Sequence, residues 1–356
     1  MSEGEILPGI NIGIDLGTTR IVTCVEGKDE FDTQSAVVAY NKSGKMLAVG
    51  EKAYSMIGKE PRSIVCIRPM KEGVVSNFTV TEQMLRYMIN RICGNEIFKP
   101  NLIVSIPGTV TNLEKRTILD VITMGGAAKV CLLQEPLAAA IGAGIDTWQP
   151  SGVMLVDLGG GTTDIAIITM GVVSVAHSIK TAGNKLDESI IRYVKRERNV
   201  IIGEHTAEHI KKTVGCAYRR PDVLAMVAKG KDYISGMPVE FEISSDEVYL
   251  AIREDILDIL AAVCSVFEQT PPELSADIID EGVILTGGTA KLFGLDKAIE
   301  DRTGVKTYVA EDPENCVIRG IKQAVDNVER LEESGYFFVT REDITGVTND
   351  RKGDDF

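Results

Sequence analysis

The sequence has few features that would place the protein outside the cell or in a membrane. Its seven cysteines stand singly, without a C-x-x-C pair, which is typical of reduced core thiols and not of a disulfide framework. No uncharged apolar run reaches about 18 residues, and the N-terminal MSEGEILPGIN lacks the basic start of an export signal. We therefore expect a cytoplasmic protein without a membrane span.

Positive charge is also scarce. The chain has 38 basic and 52 acidic residues, which leaves a formal net charge of -14. This balance repels phosphate backbones and anionic lipid headgroups, so we expect no nucleic-acid partner. With 356 residues, of which 44% are hydrophobic, the chain can form roughly two domains with ordinary cores.

Two common nucleotide-binding patterns are missing, the P-loop G-x-x-x-x-G-K-[ST] and a G-x-G-x-x-G that opens a helix. What is present is an internal similarity between IGIDLGTTRIV, which starts at Ile12, and MLVDLGGGTTDIAII, which starts at Met154. Each segment predicts a β-hairpin with a glycine-bearing turn. Together with alternating strand and helix patterns, the pair predicts a duplicated α/β scaffold whose halves face each other across a cleft.

The two turns have the composition of a phosphate clamp. Glycines allow backbone N–H groups to approach phosphate oxygens closely, and short hydroxyls add further donors. Asp15 and Asp157, at the ends of the two strands, would hold Mg²⁺ through water. A tight hairpin is the simpler interpretation of either turn alone, but the matched Asp and Thr positions favour a shared function. The predicted phosphate-binding residues are Gly17, Thr18, Thr19, Gly159, Gly160, Gly161, Thr162 and Thr163.

These turns resemble those of the superfamily that contains actin, sugar kinases and DnaK-type chaperones. The segment GVILTGGTAKLFGL resembles its adenosine turn, which implies that Gly287, Gly288, Thr289 and Ala290 lie along the nucleoside. The segment GEHTAEHIKKTVG resembles its ribose-binding helix. That resemblance implies that Glu208 and Lys211, which are three residues apart on one helical face, reach the ribose hydroxyls.

The segment LLQEPLAAAIGAG resembles the catalytic strand-to-helix junction of the same superfamily. The resemblance implies that Glu135, with the Thr162 hydroxyl nearby, orients water for attack on the γ-phosphate of ATP. Mg²⁺ and the loop N–H groups would stabilise the charge that develops on the phosphoryl group. Because no arginine finger stands in an obvious place, we expect a slow ATPase.

Within that superfamily the chain is similar to the bacterial actins of the MreB and MamK group, from about Asn11 to Glu333. The segments IRPMKEGVVSNFTVTEQMLRYMI, QEPLAAAIGAG and IIRYVKRERNVIIGEHTAEHIKKTVG carry the similarity. AGNKLDE, the TTD ending of the second turn and the acidic start favour the magnetosome type, MamK, and the rod-shape type, MreB, is the alternative. The resemblance implies an actin-like fold and head-to-tail self-assembly into dynamic filaments. Through adaptor proteins, such filaments would organise magnetosomes into chains or, in the alternative, guide cell-wall synthesis.

The resemblance also implies a domain organisation. The first half would cover residues 1–150, with a small subdomain inserted near 32–80, and the second would cover 151–333, with a small subdomain near 185–250. Residues 334–356 would form a polar, mobile tail. Ile97 and Phe98, in NEIFKP, occupy the place of a membrane-contacting loop of MreB. A weak membrane contact there stands beside the simpler interpretation of two residues that cover a loop.

Other functions are possible alternatives. A sugar or acetate-type kinase would need an acidic base and a substrate pocket that the sequence does not show, and a chaperone would need a substrate domain after Glu333. His205, Glu208 and His209 form H-x-x-E-H, the pattern of inverzincin zinc proteases. No separate acidic helix supplies a third ligand, so exposed helix surface or ribose contact explains this pattern better.

Overall fold

The computed structural model describes residues 9–94, 99–333, 335–340 and 343. Contacts divide the chain into two units, of which the first comprises Met1–Ile106, Val110–Gln134 and Val317–Phe356 and the second comprises Pro107–Thr109 and Glu135–Cys316. This division differs from the predicted halves at three places, of which the first is Pro107–Thr109, which groups with the second unit. Residues 135–150 group with the second unit, and residues 317–333 return to the first.

The first unit begins with strands that alternate with three helices. Its strands are β1 (Asn11–Leu16), β2 (Arg20–Val25), β3 (Asp32–Ser35), β4 (Val38–Asn41), β5 (Met46–Val49), β6 (Ile64–Ile67), β7 (Met70–Lys71), β8 (Val74–Val75), β9 (Asn101–Ile106) and β10 (Lys129–Gln134). Its helices are α1 (Glu51–Tyr54), α2 (Phe78–Cys93) and α3 (Asn112–Gly125).

The second unit follows directly from β10. Its strands are β11 (Val153–Leu158), β12 (Thr163–Thr169), β13 (Val172–Ile179), β14 (Val200–Ile201), β15 (Ala225–Asp232), β16 (Pro238–Ser244), β17 (Val283–Thr286) and β18 (Thr307–Val309). Its helices are α4 (Glu135–Gly142), α5 (Gly183–Arg198), α6 (Glu204–Val214), α7 (Ser245–Gln269), α8 (Pro272–Glu281) and α9 (Leu295–Thr303), with 3₁₀ turns at Gly288–Lys291 and Pro313–Asn315. The chain then forms α10 (Cys316–Asp326), α11 (Val328–Glu333) and β19 (Val339–Thr340).

The main sheets of the two units share an arrangement of five strands, to which β19 adds a sixth in the first unit, and this confirms the predicted duplication. The order is β19-β10-β9-β1-β2-β3 in the first unit and β13-β12-β11-β17-β18 in the second. In each, an antiparallel hairpin is flanked on one side by a further antiparallel strand and on the other by parallel strands. The predicted hairpins are present, since Leu16 pairs with Ile21 and Leu158 pairs with Thr163.

Each main sheet packs against helices through apolar side chains. The first unit has a buried cluster formed by β1, β9, α2 and α3, and the second has one formed by β11, β12, α5, α6 and α7. Two of the long helices begin at capping boxes. Thr111 and Glu114 form a capping box at α3, and Ser244 and Glu247 form one at α7, so that side chains satisfy the first N–H groups.

Three small sheets lie outside the main ones in the described residues, and the smallest pairs β7 with β8 in the first unit. Strands β5, β4 and β6 form a three-stranded sheet in the first unit, and β14, β15 and β16 form another in the second. The return of the chain to the first unit is explained by α10, because Ile321 and Val325 lie against β1. A methyl group at Gly13 would be only 2.4 Å from the Ile321 Cγ2 atom.

The end of the chain differs in part from the predicted mobile tail. Val339 pairs with Val130, so that β19 extends the first sheet at the edge of β10. Residues 344–356 lie outside the described residues, as do Ile97 and Phe98, for which membrane contact stays a prediction. Among the helices of the described residues, none is long and apolar enough to cross a bilayer.

Candidate functional site

The turn between β11 and β12 has its carbonyl groups bound to the rest of the second unit. The Gly159 carbonyl accepts hydrogen bonds from the Gly183 N–H (3.2 Å) and from the Thr289 hydroxyl (2.8 Å). The Gly160 carbonyl accepts one from the Asn184 N–H (2.8 Å). The first turn of α5 and the turn after β17 therefore hold this loop in one orientation.

The N–H groups of the same turn are left available. In the described part of the chain, the backbone N–H groups of Gly160, Gly161 and Thr162 donate no hydrogen bond. Consecutive unpaired N–H groups on a glycine-rich turn form a binding site for an anion such as a phosphate. Gly161 is buried, whereas Gly160 and Thr162 are half-buried, so that the turn still reaches the surface of its unit.

Thr163 does not fit its predicted role. Its side chain is fully buried, and its hydroxyl donates to the Thr181 carbonyl at 2.7 Å. The reason is the alternation of a strand, since Thr163 is the first residue of β12 and its side chain points away from the open side of the turn. The Thr163 hydroxyl therefore braces the hairpin against the segment before α5 and is not a phosphate donor.

Asp157 is the last residue but one of β11, beside this turn. Its side chain is 7% exposed, and its Oδ1 atom accepts a hydrogen bond from the Thr286 hydroxyl at 2.7 Å. Thr286 ends the parallel neighbour β17, where the register pairs the two residues directly. The ends of β11 and β17 thus hold the Asp157 carboxylate beside the glycine-rich turn between β11 and β12, which we call the phosphate-type turn.

The turn after β17 requires glycine at Gly287. Its φ angle is +83°, and a methyl group there would lie 2.3 Å from the Leu158 carbonyl oxygen. Its N–H donates to the Pro313 carbonyl at 2.7 Å. Gly288 is more open, because the nearest atom to a methyl group there would be Glu314 Cγ at 3.7 Å. The predicted residues Gly287, Gly288, Thr289 and Ala290 form this turn, and the Thr289 hydroxyl joins it to the loop of Gly159. The space beside Gly288 is open.

Lys211 is held by two acceptors within the second unit. Its ammonium group donates to the Gly183 carbonyl and to Asp187 Oδ2, each at 2.8 Å, and it joins α6 to the start of α5. Glu208 forms an ion pair with Lys212 at 2.7 Å. An ammonium group has three donors, so Lys211 keeps one after these two bonds. Contact of Glu208 and Lys211 with a ribose stays a prediction.

Asp187 is a buried carboxyl group beside this lysine. Burial raises its pKa from 3.8 to about 6, although the nearby ammonium of Lys211 opposes the rise. A carboxyl group with a higher pKa in the folded chain than in the unfolded chain keeps its proton longer when folded. Its contribution to the free energy of unfolding is therefore present at low pH and is lost as the pH rises through about 6.

We expect the variant Asp187→Asn to show a weaker pH dependence of stability than the parent. Because the substitution removes this titration, the fall in unfolding free energy between pH 3.8 and about 6 should shrink by about 2 kcal/mol. Urea unfolding at a series of pH values measures it. Glu188→Gln is the matched control, since Glu188 is exposed on the same helix. An unchanged slope in Asp187→Asn would contradict the assignment.

Glu135 lies at the predicted strand-to-helix junction, since β10 ends at Gln134 and α4 begins at Glu135. The next residue, Pro136, packs against a short turn of the same unit. A methyl group at Gly108 would be 3.2 Å from Pro136 Cγ, and the Gly108 N–H donates to Asp164 Oδ1 at 3.2 Å. Asp164 thereby supports the segment that contacts the Glu135 junction.

Asp164 was not predicted as part of the site. It is 1% exposed, and burial raises its pKa, while hydrogen bonds from Thr162, Ser178 and Gly108 lower it. The predicted catalytic residue Thr162 is therefore in contact with Asp164. In the sequence this aspartate stands out only as the end of the TTD pattern. The signal that could have found it is a carboxylate at an inward-facing strand position, where an ionised group is costly without partners.

The first turn, between β1 and β2, can be described within its own unit. Asp15 Oδ1 accepts from the Ser105 hydroxyl at 3.0 Å, and the Leu16 N–H donates to the same hydroxyl oxygen at 3.2 Å. Burial raises the pKa of Asp15, and the charge of Arg20 and the Ser105 hydrogen bond oppose this. Thr18 Oγ1 accepts from the Gly73 N–H at 3.1 Å, which leaves the Thr18 hydroxyl proton for another acceptor. Gly17 and Thr19 are half-buried in this turn.

The residues present suit a magnesium site at the aspartates but not a zinc site at the histidines. Mg²⁺ beside phosphates is usually held by one or two carboxylates and water, which suits single buried aspartates such as Asp15 and Asp157. Zinc needs three or more protein ligands. In the described ranges no group of three His, Cys, Asp or Glu side chains could hold a metal ion, so His205, Glu208 and His209 do not form one.

Comparison with known proteins places this geometry in a family. A model described as "MreB/Mbl protein" matches residues 9–333. The chain is 46% identical over 323 residues to the cell shape-determining protein Mbl of Bacillus subtilis, which covers 90% of this chain and 97% of that protein. It is 39% identical over 326 residues to the cell shape-determining protein MreB of Escherichia coli, with 90% and 94% covered.

Solved structures give the same fold. The crystal structure of MreB5 of Spiroplasma citri bound to ADP aligns with a TM-score of 0.86 and 34% identity, covering 91% of this chain and 98% of that one. A MamK double helical filament aligns with a TM-score of 0.77 and 19% identity, covering 89% and 98%. The fold is actin-like, as predicted.

The comparisons do not support the predicted preference for the magnetosome type. The MamK filament, at 19% identity, shares the fold alone with this chain, whereas the curated relatives named above are Mbl and MreB at 46% and 39% identity. That preference depended on a few loop residues and on the acidic start, which carry little weight against similarity over more than 300 residues. The rod-shape alternative is the better supported one, and a role in magnetosome chains or biomineralisation is dropped.

Proposed function

The chain belongs to the MreB/Mbl protein family, and from that membership we propose that it is an ATP-binding and ATP-hydrolysing filament protein of the rod-shape type. Its relatives in Bacillus subtilis and Escherichia coli are named as cell shape-determining proteins. We infer a corresponding role here, in which filaments, with adaptor proteins, guide cell-wall synthesis.

The single observation that supports an ATP site is the distribution of hydrogen bonds in the turn between β11 and β12. Its carbonyl groups are bound by Gly183, Asn184 and Thr289, while the N–H groups of Gly160, Gly161 and Thr162 are available. Unpaired backbone N–H groups are costly unless water or a ligand binds them. Three available N–H groups in succession, on a turn whose Gly159 and Gly160 carbonyl groups are bound elsewhere, therefore favour a ligand-binding turn over a purely structural hairpin. Phosphate oxygens accept from such groups directly.

The surrounding residues suit the rest of a nucleotide. Gly288 leaves room for a planar base beside the backbone, and the remaining donor of Lys211 suits a hydroxyl. The MreB5 of Spiroplasma citri has been crystallised with ADP and with AMPPNP, which supports a nucleotide at the corresponding place. Mg²⁺, when bound with the phosphates, would neutralise charge on the departing phosphoryl group.

The protein's own contribution to hydrolysis is positional. Glu135, at the first position of α4, would hold a water molecule, and Thr162 would hold the phosphate side of the site. Asp164 lies near both, since its Oδ1 atom accepts from the N–H of Gly108, which packs on Pro136, and the Thr162 hydroxyl lowers its pKa. Such positioning without a strong base is consistent with slow turnover.

Self-assembly is supported by exposed apolar side chains at two turns of the second unit. Met170, between β12 and β13, is 61% exposed, and Ile234 and Met237, between β15 and β16, are 83% and 65% exposed. Exposed apolar side chains that are grouped on one turn, such as Ile234 and Met237, are typical of protein–protein contacts. A second copy of the chain is the proposed cover, because a head-to-tail contact that does not close produces a filament.

We expect the purified protein to sediment as polymer with ATP and Mg²⁺ and to stay in the supernatant without nucleotide. Ile234→Asp should reduce the pelleted fraction severalfold at equal protein concentration, since a charge replaces a covered apolar group. Lys229→Gln, in the same hairpin and exposed, should pellet like the parent. A protein that binds ATP but never pellets over a range of salt would instead support a kinase or chaperone function.

A further inference from the structure

Two adjacent arginines after α6 are stacked on aromatic rings. The guanidinium carbon of Arg220 lies 3.8 Å from the centroid of the Phe293 ring, and that of Arg219 lies 5.8 Å from the Tyr249 centroid. Neither forms an ion pair with any carboxylate that the structure describes. In a chain with 14 more acidic than basic residues, two neighbouring arginines without such a partner are unexpected.

The backbone under these arginines is fixed. Cys216 and Ala217 are buried, the Ala217 N–H donates to the Phe293 carbonyl at 2.8 Å, and Cys216 forms a parallel β-bridge with Phe293. The Cys216 thiol donates to the Ser245 carbonyl at 3.4 Å. Because the segment is held at both residues, the backbone that leads to the two arginines has a fixed position beside Phe293.

The surface around the stacked pair includes exposed apolar side chains. Phe293 is 40% exposed and Val223 is 58% exposed. Tyr218 packs over Gly294, where a methyl group would lie 2.5 Å from the Tyr218 Cβ atom, and its side chain also hydrogen-bonds Asp301. We refer to Tyr218, Arg219, Arg220, Val223, Tyr249 and Phe293 together as the arginine patch.

We propose that the arginine patch binds a short acidic and partly apolar peptide segment of a partner protein. Arg219 is exposed and can present its N–H edge to a carboxylate, whereas the Nε atom of half-buried Arg220 is buried and leaves the two terminal nitrogens as its donors. Either set of donors can match a carboxylate in a bidentate geometry. Stacking also reduces the side-chain freedom that binding would otherwise remove. The apolar side chains of such a peptide would cover Phe293 and Val223, in the way that aromatic and arginine residues combine at protein interfaces.

Nearby acidic groups favour a peptide over a lipid surface. Asp222 lies two residues after Arg220, Asp246 lies in the first turn of α7, and Asp301 contacts Tyr218. Binding to an anionic membrane typically uses clusters of about four or more basic residues, and these aspartates would be repelled by a continuous negative surface. A peptide places its carboxylates singly, so that they can meet the two guanidinium groups.

The test uses the full-length protein and a short fluorescein-labelled peptide in which glutamates alternate with phenylalanine and leucine. Fluorescence anisotropy gives the dissociation constant. The double variant Arg219→Gln, Arg220→Gln should bind about tenfold more weakly or worse, because two charge-assisted pairs are lost. Arg196→Gln is the matched control, since Arg196 also lies over a ring, that of Tyr193, but is ion-paired with Glu197 at 2.6 Å. Its affinity should be unchanged.

Equal thermal unfolding of the parent and the double variant checks that the substitutions leave the fold intact. A peptide in which glutamines replace the glutamates should bind as weakly as the double variant does to the acidic one. The proposal is overturned if the parent shows no saturable binding, or if the double variant binds like the parent. It is also overturned if vesicles of phosphatidylcholine and phosphatidylserine bind through the two arginines while the acidic peptide does not.

Discussion

The variant Glu135→Ala should lose about 10²-fold or more of its ATP hydrolysis rate while ATP still binds. Glu135 begins α4 directly after β10, and Pro136 fixes that junction against the Gly108 turn held by Asp164. If the carboxylate orients the attacking water, its removal leaves the water without a defined position. Binding should persist, because the phosphate-type turn and the Gly287 turn do not depend on this side chain.

Phosphate release in single-turnover experiments measures the chemical step, and fluorescence of a labelled ATP measures binding. Glu273→Ala is the matched control, since Glu273 is an acidic residue in the first turn of another helix of the same unit, α8. It tests whether the loss of a negative charge near a helix N-terminus has a general effect. Unchanged hydrolysis in Glu135→Ala would remove Glu135 from the mechanism, and loss of ATP binding would assign it a different role.

The parts of the fold that were predictable are local. The Asp-Leu-Gly and Thr-Thr repeats predicted both hairpins, because an apolar run, a glycine turn and a second apolar run define a hairpin within about a dozen residues. The junction at Glu135 was recognised in the same way, from a short segment. The order of strands in the two main sheets then follows from duplication of one pattern.

The contacts between distant segments were not predictable. No spacing rule connects Gly183 to Gly159, Lys211 to Asp187, or Gly108 to Asp164, since each bond depends on how α5, α6 or a turn packs on a sheet edge. Thr163 illustrates the limit. It has the same residue type as Thr162, but the pleat of β12 turns its hydroxyl to Thr181. A motif gives residue types, and only packing decides which side chain faces the site.

The return of the chain to the first unit has a similar explanation. Sequence position suggested that residues up to 333 form the second half, yet α10 packs against Gly13 of β1. The glycine at that position is informative only after the helix is placed, because a side chain there would overlap Ile321 and Cys24. A small residue in a buried strand indicates a close neighbour without identifying it.

The variant Gly287→Ala should destabilise the second unit strongly and weaken nucleotide binding. The added methyl group would lie 2.3 Å from the Leu158 carbonyl oxygen and 2.5 Å from its carbonyl carbon, which are backbone atoms that cannot rotate away. The φ angle of +83° adds strain for any residue with a side chain. We expect a loss of about 3 kcal/mol in the free energy of unfolding, because overlap and strain combine.

Gly304→Ala is the control without overlap. Gly304 has φ +73° and ψ 8°, in the left-handed helical region, and a methyl group there meets no atom within 4 Å. Gly287 has ψ 163°, a conformation that only glycine adopts readily, so the control carries a milder backbone strain and no overlap and should lose about 1 kcal/mol. Urea unfolding compares the two variants, and fluorescence of a labelled ATP compares their affinities. Equal destabilisation in both would mean that the Gly287 turn can move away from Leu158. The turn could then not hold the loop of Gly159 in one orientation through Thr289, and the proposed phosphate site would lose one of its two supports.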